Sequence, residues 1–149
     1  MEKIEELERN AIRMLLAGDD PILKLLRRQY ENARVDQRNF TGKGFFTHLI
    51  IPSNTPRLNI SRLIIDDVYG LINDNNHVGF IMFINDGALS CLEGYTYENE
   101  WPDQVINYEL TYEEEKKQRN LKKLRTYWEE TYGKAIIDDI TRNANSCEK

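Results

Sequence analysis

Apolar and polar positions along this chain follow two periods, and the switch between them divides it. Over residues 2–17, Ile4, Leu7, Ala11 and Met14 recur at helical spacing with Leu15 beside them, the stripe of an amphipathic helix. Glu2, Glu5 and Glu6 sit in its first turns, where they complement the helix dipole, and Gly18 ends it. "DDP" restarts the pattern: Asp20 caps backbone amides and Pro21 fits the first helical position. The second helix is predicted to run to about residue 32. It buries Ile22, Leu25, Leu26 and Tyr30 and turns Arg27 and Arg28 to water.

Period two then takes over. Extended segments are predicted at about 34–40, 44–51, 60–69, 77–85 and 88–97. "TGKG" at 41–44 reads as a turn. It is too short for a phosphate-binding loop, which needs Ser or Thr after its lysine and a following helix. Asp86-Gly87 between two apolar runs predicts a type I′ hairpin, since both positions need positive φ. Such a turn sets Ile84 opposite Leu89, Met82 opposite Cys91, Phe80 opposite Glu93 and Val78 opposite Tyr95. It also sets Gly79 opposite Gly94, a gap that either bends the sheet or admits a ring from another element. Both faces of the hairpin are apolar near the turn, which places it near the sheet centre with helices on at least one face. Glu93 then shares a face with Phe80 and Tyr95, toward the far end where the sheet meets solvent.

Residues 111–132 read as a further helix, with Thr111 and Glu114 as a capping box, Leu121, Leu124 and Trp128 as its stripe, and Glu113–Lys117 as a pair one turn apart. Gly133 stops it. "AIIDDI" is a short helix and 141–149 a frayed tail. The expected architecture is a single α+β domain over 1–149: an N-terminal helical hairpin, a mostly antiparallel sheet of about four or five strands, and a C-terminal helix.

Composition narrows what such a domain does. At 40% hydrophobic and 10% aromatic, the 149 residues fill a core, so disorder is excluded as a general description. A net charge of −5, from 25 acidic and 20 basic residues, argues against nucleic acid and suits a basic partner. The two cysteines, Cys91 and Cys147, form no close pair; Cys91 is expected buried and Cys147 accessible. That usage, with no apolar signal core in "MEKIEELERN", points to a reduced, cytoplasmic protein. "HLII" and "FIMFI" are too short to span a membrane.

Catalytic constellations are sparse. Asp66 and Asp67 are strand neighbours and point to opposite faces. Ser90 and Cys91 lack the glycine and sharp turn of a nucleophile elbow. His48 and His77 stand apart, without the close ligand pair of a zinc site; neither metal nor cofactor is expected. Glu93 among apolar neighbours is either hydrogen-bonded within the fold, near the "FTGKG" turn or the Trp101 loop, or raised in pKa for acid–base work. Tyr95, Tyr97, Trp101, Tyr108 and Tyr112 crowd one stretch, as aromatics do at interfaces. The candidate binding residues are therefore Glu93, Tyr95, Tyr97 and Trp101, with Phe45 and His48 from the strand after the TGKG turn.

"NFTGKGFFTHLIIP" and "FIMFINDGALSCLEGYTYENEWP" resemble a family of small, uncharacterised bacterial proteins carrying FTG-x-GFF-T, a DG turn, LEGYTY and WP. "LLAGDDPILKLLRRQ" is similar to theirs as well, so the resemblance covers about residues 12–102. Its positions here are Phe40, Thr41, Gly42, Gly44, Phe45, Phe46, Asp86, Gly87, Leu92, Glu93, Gly94, Tyr95, Tyr97, Trp101 and Pro102. These are turn glycines and aromatics more than catalytic types, and the resemblance implies no particular activity.

Two functions follow as expectations. The first is a non-enzymatic, cytoplasmic protein-binding module, for example an immunity-type inhibitor of a basic toxin, engaging neither nucleic acid nor membrane. The second is a small-ligand-binding protein or enzyme with a pocket around Glu93 at the end of the sheet.

Overall fold

Residues 2–147 are described in the computed structural model, with Glu2, Lys3, Glu114 and Cys147 described by backbone alone; the expectation for the Cys147 thiol lies outside the described residues. Helix α1 spans Glu2–Leu15 and α2 spans Pro21–Glu31. The second starts as the sequence indicates, with the Asp20 carboxylate accepting from the Ile22 amide at 2.8 Å. Arg27 does not face water. Its guanidinium donates to the carbonyls of Leu16 and Gly18, which the end of α1 leaves unsatisfied.

Six strands follow: β1 Arg34–Phe40, β2 Gly44–Ile50, β3 Arg62–Ile72, β4 Asn76–Asn85, β5 Ala88–Thr96 and β6 Tyr108–Tyr112. All neighbours are antiparallel, in the order β1-β2-β5-β4-β3-β6. The fold is thus α+β with six strands rather than four or five, and the hairpin β4–β5 does lie at the centre. The sixth strand replaces the predicted start of a helix. Thr111 pairs with Tyr69 in β3, so no helix starts there, and the side chain of Glu114 expected in a capping box lies outside the described residues. A short 3-10 turn spans Glu113–Glu115, and helix α3 begins only at Leu121, running to Tyr132. Lys117 accordingly pairs with Glu109 at 3.0 Å rather than with Glu113, which meets Lys123. Helix α4 runs Lys134–Cys147 with Ile137, Ile140 and Ala144 buried, so apolar packing orders a segment expected to fray.

Helices α1 and α2 pack on one face of the sheet, and α4 packs against α2 and α3. Glu8 on α1 is buried against that face, accepting from Thr47 Oγ1 at 2.6 Å and from two nitrogens of Arg38 at 3.0 and 2.9 Å. Tyr112 reaches the Met14 carbonyl at 2.7 Å. Gln29 on α2 is wholly buried at the tip of the central hairpin. Its amide donates to the carbonyls of Pro56 and Gly87 and accepts from the Leu89 amide, all at 2.9 Å. Leu7, Leu15, Ile22, Leu26, Leu63, Ile65, Val68, Phe80, Met82 and Leu92 fill the space between. Each such side chain contributes about 1.5–3 kcal/mol relative to exposure.

Where β6 stops short, α3 closes the flank of β3. Tyr132 accepts from the Ile64 amide at 3.1 Å and the Trp128 indole donates to the Ile64 carbonyl at 3.3 Å. The opposite flank, β1, is exposed along most of its length and is interrupted at Asp36, where the register with β2 shifts.

Candidate functional site

The turn Asp86-Gly87 forms as predicted, with φ of +51° and +76°. Ile84 faces Leu89 and Asn85 faces Ala88. Beyond that the register departs from the expectation. Ser90 is an extra residue with no opposite number, so Cys91 faces Phe83, Leu92 faces Met82 and Glu93 faces Ile81. A one-residue bulge exchanges the two faces of everything after it. Phe80 turns into the core opposite Gly94, while Glu93 turns to the face that bears no helix.

The two glycines consequently do not face each other. Gly79 faces Tyr95 and Gly94 faces Phe80. Each is covered by its own ring: Tyr95 lies over Gly79 on the open face, and Phe45 lies over Gly94 on the core face. A Cβ at either position would run into that ring.

The open face reads in rows across the strands. Asn39, Phe46, Glu93 and Ile81 form one row; Gln37, His48, Cys91, Phe83 and Ile64 form the next; Tyr95, Gly79, Tyr69 and Thr111 lie on the other side. Phe46, Ile81, Phe83, Ile64, Tyr69 and Tyr95 are each half-buried rather than buried. Strand spacings give this face about 24 by 20 Å, on the order of 500 Å². Apolar patches of that size on soluble domains are commonly functional.

Glu93 stands near the middle of this face, on the third strand of six. It is not at the end of the sheet, and it lines neither of the larger grooves. Among the described residues its carboxylate makes no hydrogen bond and no ion pair. Burial alone holds it above the ordinary glutamate value of 4.5. The expected hydrogen bonds to the FTGKG turn or Trp101 loop are therefore not made. Burial, with the charge of Glu93 as a lesser cause, pushes the Cys91 thiol up to about 11; a nucleophilic cysteine needs the opposite shift. Burial, with Tyr97 beside it, likewise raises the hydroxyl of Tyr95, whose ring centroid is 5.7 Å from that of Tyr97. Burial pushes Tyr69 up to about 12. These three groups hold their protons at neutral pH, so the negative charge beside them comes from Glu93 and from Asp66, which the irregularity in β3 sets across from Ile81 and whose carboxyl is raised by burial and by Asp67 beside it.

The six residues singled out from sequence divide between two places. Glu93, Tyr95, Tyr97 and His48 share the open face, with His48 directly opposite Cys91 and 3.4 Å from the Asn39 amide nitrogen. Phe45 and Trp101 do not join them. They lie buried on the core side, ring centroids 5.1 Å apart and edge to face. Sequence reasoning missed Phe46, Ile81, Phe83 and Tyr69 as parts of a surface. Their signal was present: strands apolar on both faces, with too few helices to cover two.

Of the larger grooves, one lies apart from this face and one opens onto it at Tyr69 and Tyr97. One groove, of about 800 Å³, runs between Ile4, Phe40, Gly44, Trp101 and Ile106; another, of about 660 Å³, between Tyr69, His77, Tyr97, Glu113 and Lys123. Neither is lined by Glu93. Among the described residues, no three His, Cys, Asp or Glu side chains are grouped to hold a metal ion, and no helix is long and apolar enough to cross a membrane. Comparison with family models, with curated proteins and with solved structures yields no match to this chain.

Proposed function

We propose that this chain is a non-enzymatic protein-binding module, of the immunity type, that holds its partner against the open face of its sheet. The observation that carries the reading is the helix-free face itself, with its half-buried rings and aliphatic side chains. A face of that size suffices for the centre of a standard protein interface, which takes about 800 Å² per partner. The Cys91 thiol and the Tyr69 and Tyr95 hydroxyls hold their protons, which suits recognition better than nucleophilic chemistry. A cytoplasmic setting and membership of the small bacterial family it resembles belong to the same proposal. That neither of the two larger grooves is lined by Glu93 favours this reading over a pocket around that residue.

Co-expression with the proteins encoded beside its gene, one at a time, tests the reading. The expected result is that one of them inhibits growth and that this chain neutralises it through a purifiable complex. Ile81→Asp, which charges the open face, is expected to abolish both effects while the purified variant keeps the circular dichroism of the folded parent. No neutralisation and no complex with any neighbour would overturn the reading.

A further inference from the structure

The unpaired carboxylate at the centre of the open face specifies what must land on it. We propose that the partner presents an arginine whose guanidinium seats on Glu93 between the Tyr95 and Phe46 rings. This inference rests on the reading of the open face as a protein-docking surface and adds the chemistry of the partner.

Glu93 is flanked along its strand by Cys91 and Tyr95 and across the sheet by Phe46 and Ile81. Those neighbours already remove part of its water. Any occupant that covers the face removes the rest, and an ionised carboxylate left unpaired in such a place opposes binding. No cation of the described chain reaches it, so the compensating charge has to arrive with the occupant. A second copy of this chain docked about the centre of this face does not supply it. Glu93 stands near the middle of the face, so a two-fold axis through that face would bring two carboxylates together, a like-charge contact in a dry interface. The occupant is therefore a different protein, and a basic one, toward which the net charge of −5 also steers encounter.

Arginine fits the surroundings better than lysine. Its guanidinium is planar, holds water less tightly, stacks on aromatic rings and bonds a carboxylate through two parallel donors. Lysine would bring a compact, strongly hydrated charge into an apolar row. Anchors of this kind sit at interface centres, ringed by contacts that exclude water, and Glu93 occupies that position.

The test uses N-acetyl-arginine amide as the probe, titrated into the ¹⁵N-labelled protein, with N-acetyl-lysine amide and N-acetyl-norleucine amide as comparisons. The expected result is saturable shifts confined to the amides around Phe46, Ile81, Glu93 and Tyr95 at millimolar probe. Lysine should bind more weakly and norleucine not measurably. Glu93→Gln should weaken the arginine response at least fivefold, while Glu109→Gln, at the edge of the same face, should leave it unchanged. Equal shifts in Glu93→Gln, or no shift up to the solubility limit of the probe, would overturn the proposal. So would a parent protein that sediments as a face-to-face dimer. Neutralisation of a toxin that persists in Glu93→Gln removes the arginine contact and leaves the docking reading standing. Absence of neutralisation by the parent removes the docking reading itself.

Discussion

Glu93 stands on the open face because of a single residue, Ser90. Without that bulge Glu93 would face Phe80 and point into the core, where an unpaired charge is far more costly. The turn chemistry at Asp86-Gly87 is legible in sequence, because positive φ selects residue types. The bulge four residues later is not, because it answers to packing across three strands and leaves no residue signature. Two consequences belong to this scale. In the folded chain the Glu93 carboxyl titrates above 4.5, and in the unfolded chain near that value. Between the two, the folded chain holds a proton that the unfolded chain has released, so stability falls as pH rises through the window and stays lowered above it. Glu93→Gln has no such proton. Its unfolding free energy is expected to match the parent below the window and to exceed it at neutral pH, by a small margin because the carboxylate is largely screened by solvent. A variant less stable than the parent at neutral pH would show a bond that the carboxylate makes. Cys91, 8% exposed and with its thiol pushed up to about 11, is expected to react with a thiol reagent at pH 8 at least tenfold more slowly than a free cysteine peptide. Mass spectrometry of timed aliquots measures this.

Elements were readable where local period and tertiary pairing agree, and misread where they conflict. "YELTY" followed by a charged run reads as a helix start, yet its backbone completes a ladder with β3. That pairing lies some forty residues away, outside any window of local pattern. The attachment of α2 to the hairpin was likewise invisible, since it passes through one uncharged side chain. Gln29→Met keeps the length and apolar stem of Gln29 but strands the Leu89 amide and two carbonyls. At about 1 kcal/mol for each lost bond, the expected loss is on the order of 3 kcal/mol in urea unfolding. A loss below about 1 kcal/mol would mean water replaces the amide. At the same hairpin tip, a Cβ on Gly87 would come within 2.0 Å of the Leu58 carbonyl oxygen, at a φ of +76°. Gly87→Val is therefore expected to cost at least about 2 kcal/mol, combining left-handed strain with a backbone clash.

At the scale of the whole molecule, helices on one side and an exposed face on the other leave the sheet with a further risk, its two flanks. One is managed by economy and cover: β6 has five residues, and Tyr132 and Trp128 occupy the backbone groups of Ile64 beyond it. The other is β1, long and exposed, a row of unpaired amides and carbonyls on which another chain can build. There the interruption at Asp36, set between Arg34 and Arg38, acquires a meaning beyond register. It breaks the straight run of donors and acceptors that an incoming strand would need, and it surrounds the break with charge of both signs. Deleting Asp36 should restore an even ladder. The shortened chain is expected to form growing, thioflavin-positive assemblies at concentrations where the parent scatters light as a constant, small species. An irregularity in the outermost strand thus guards an otherwise open sheet edge against polymerisation.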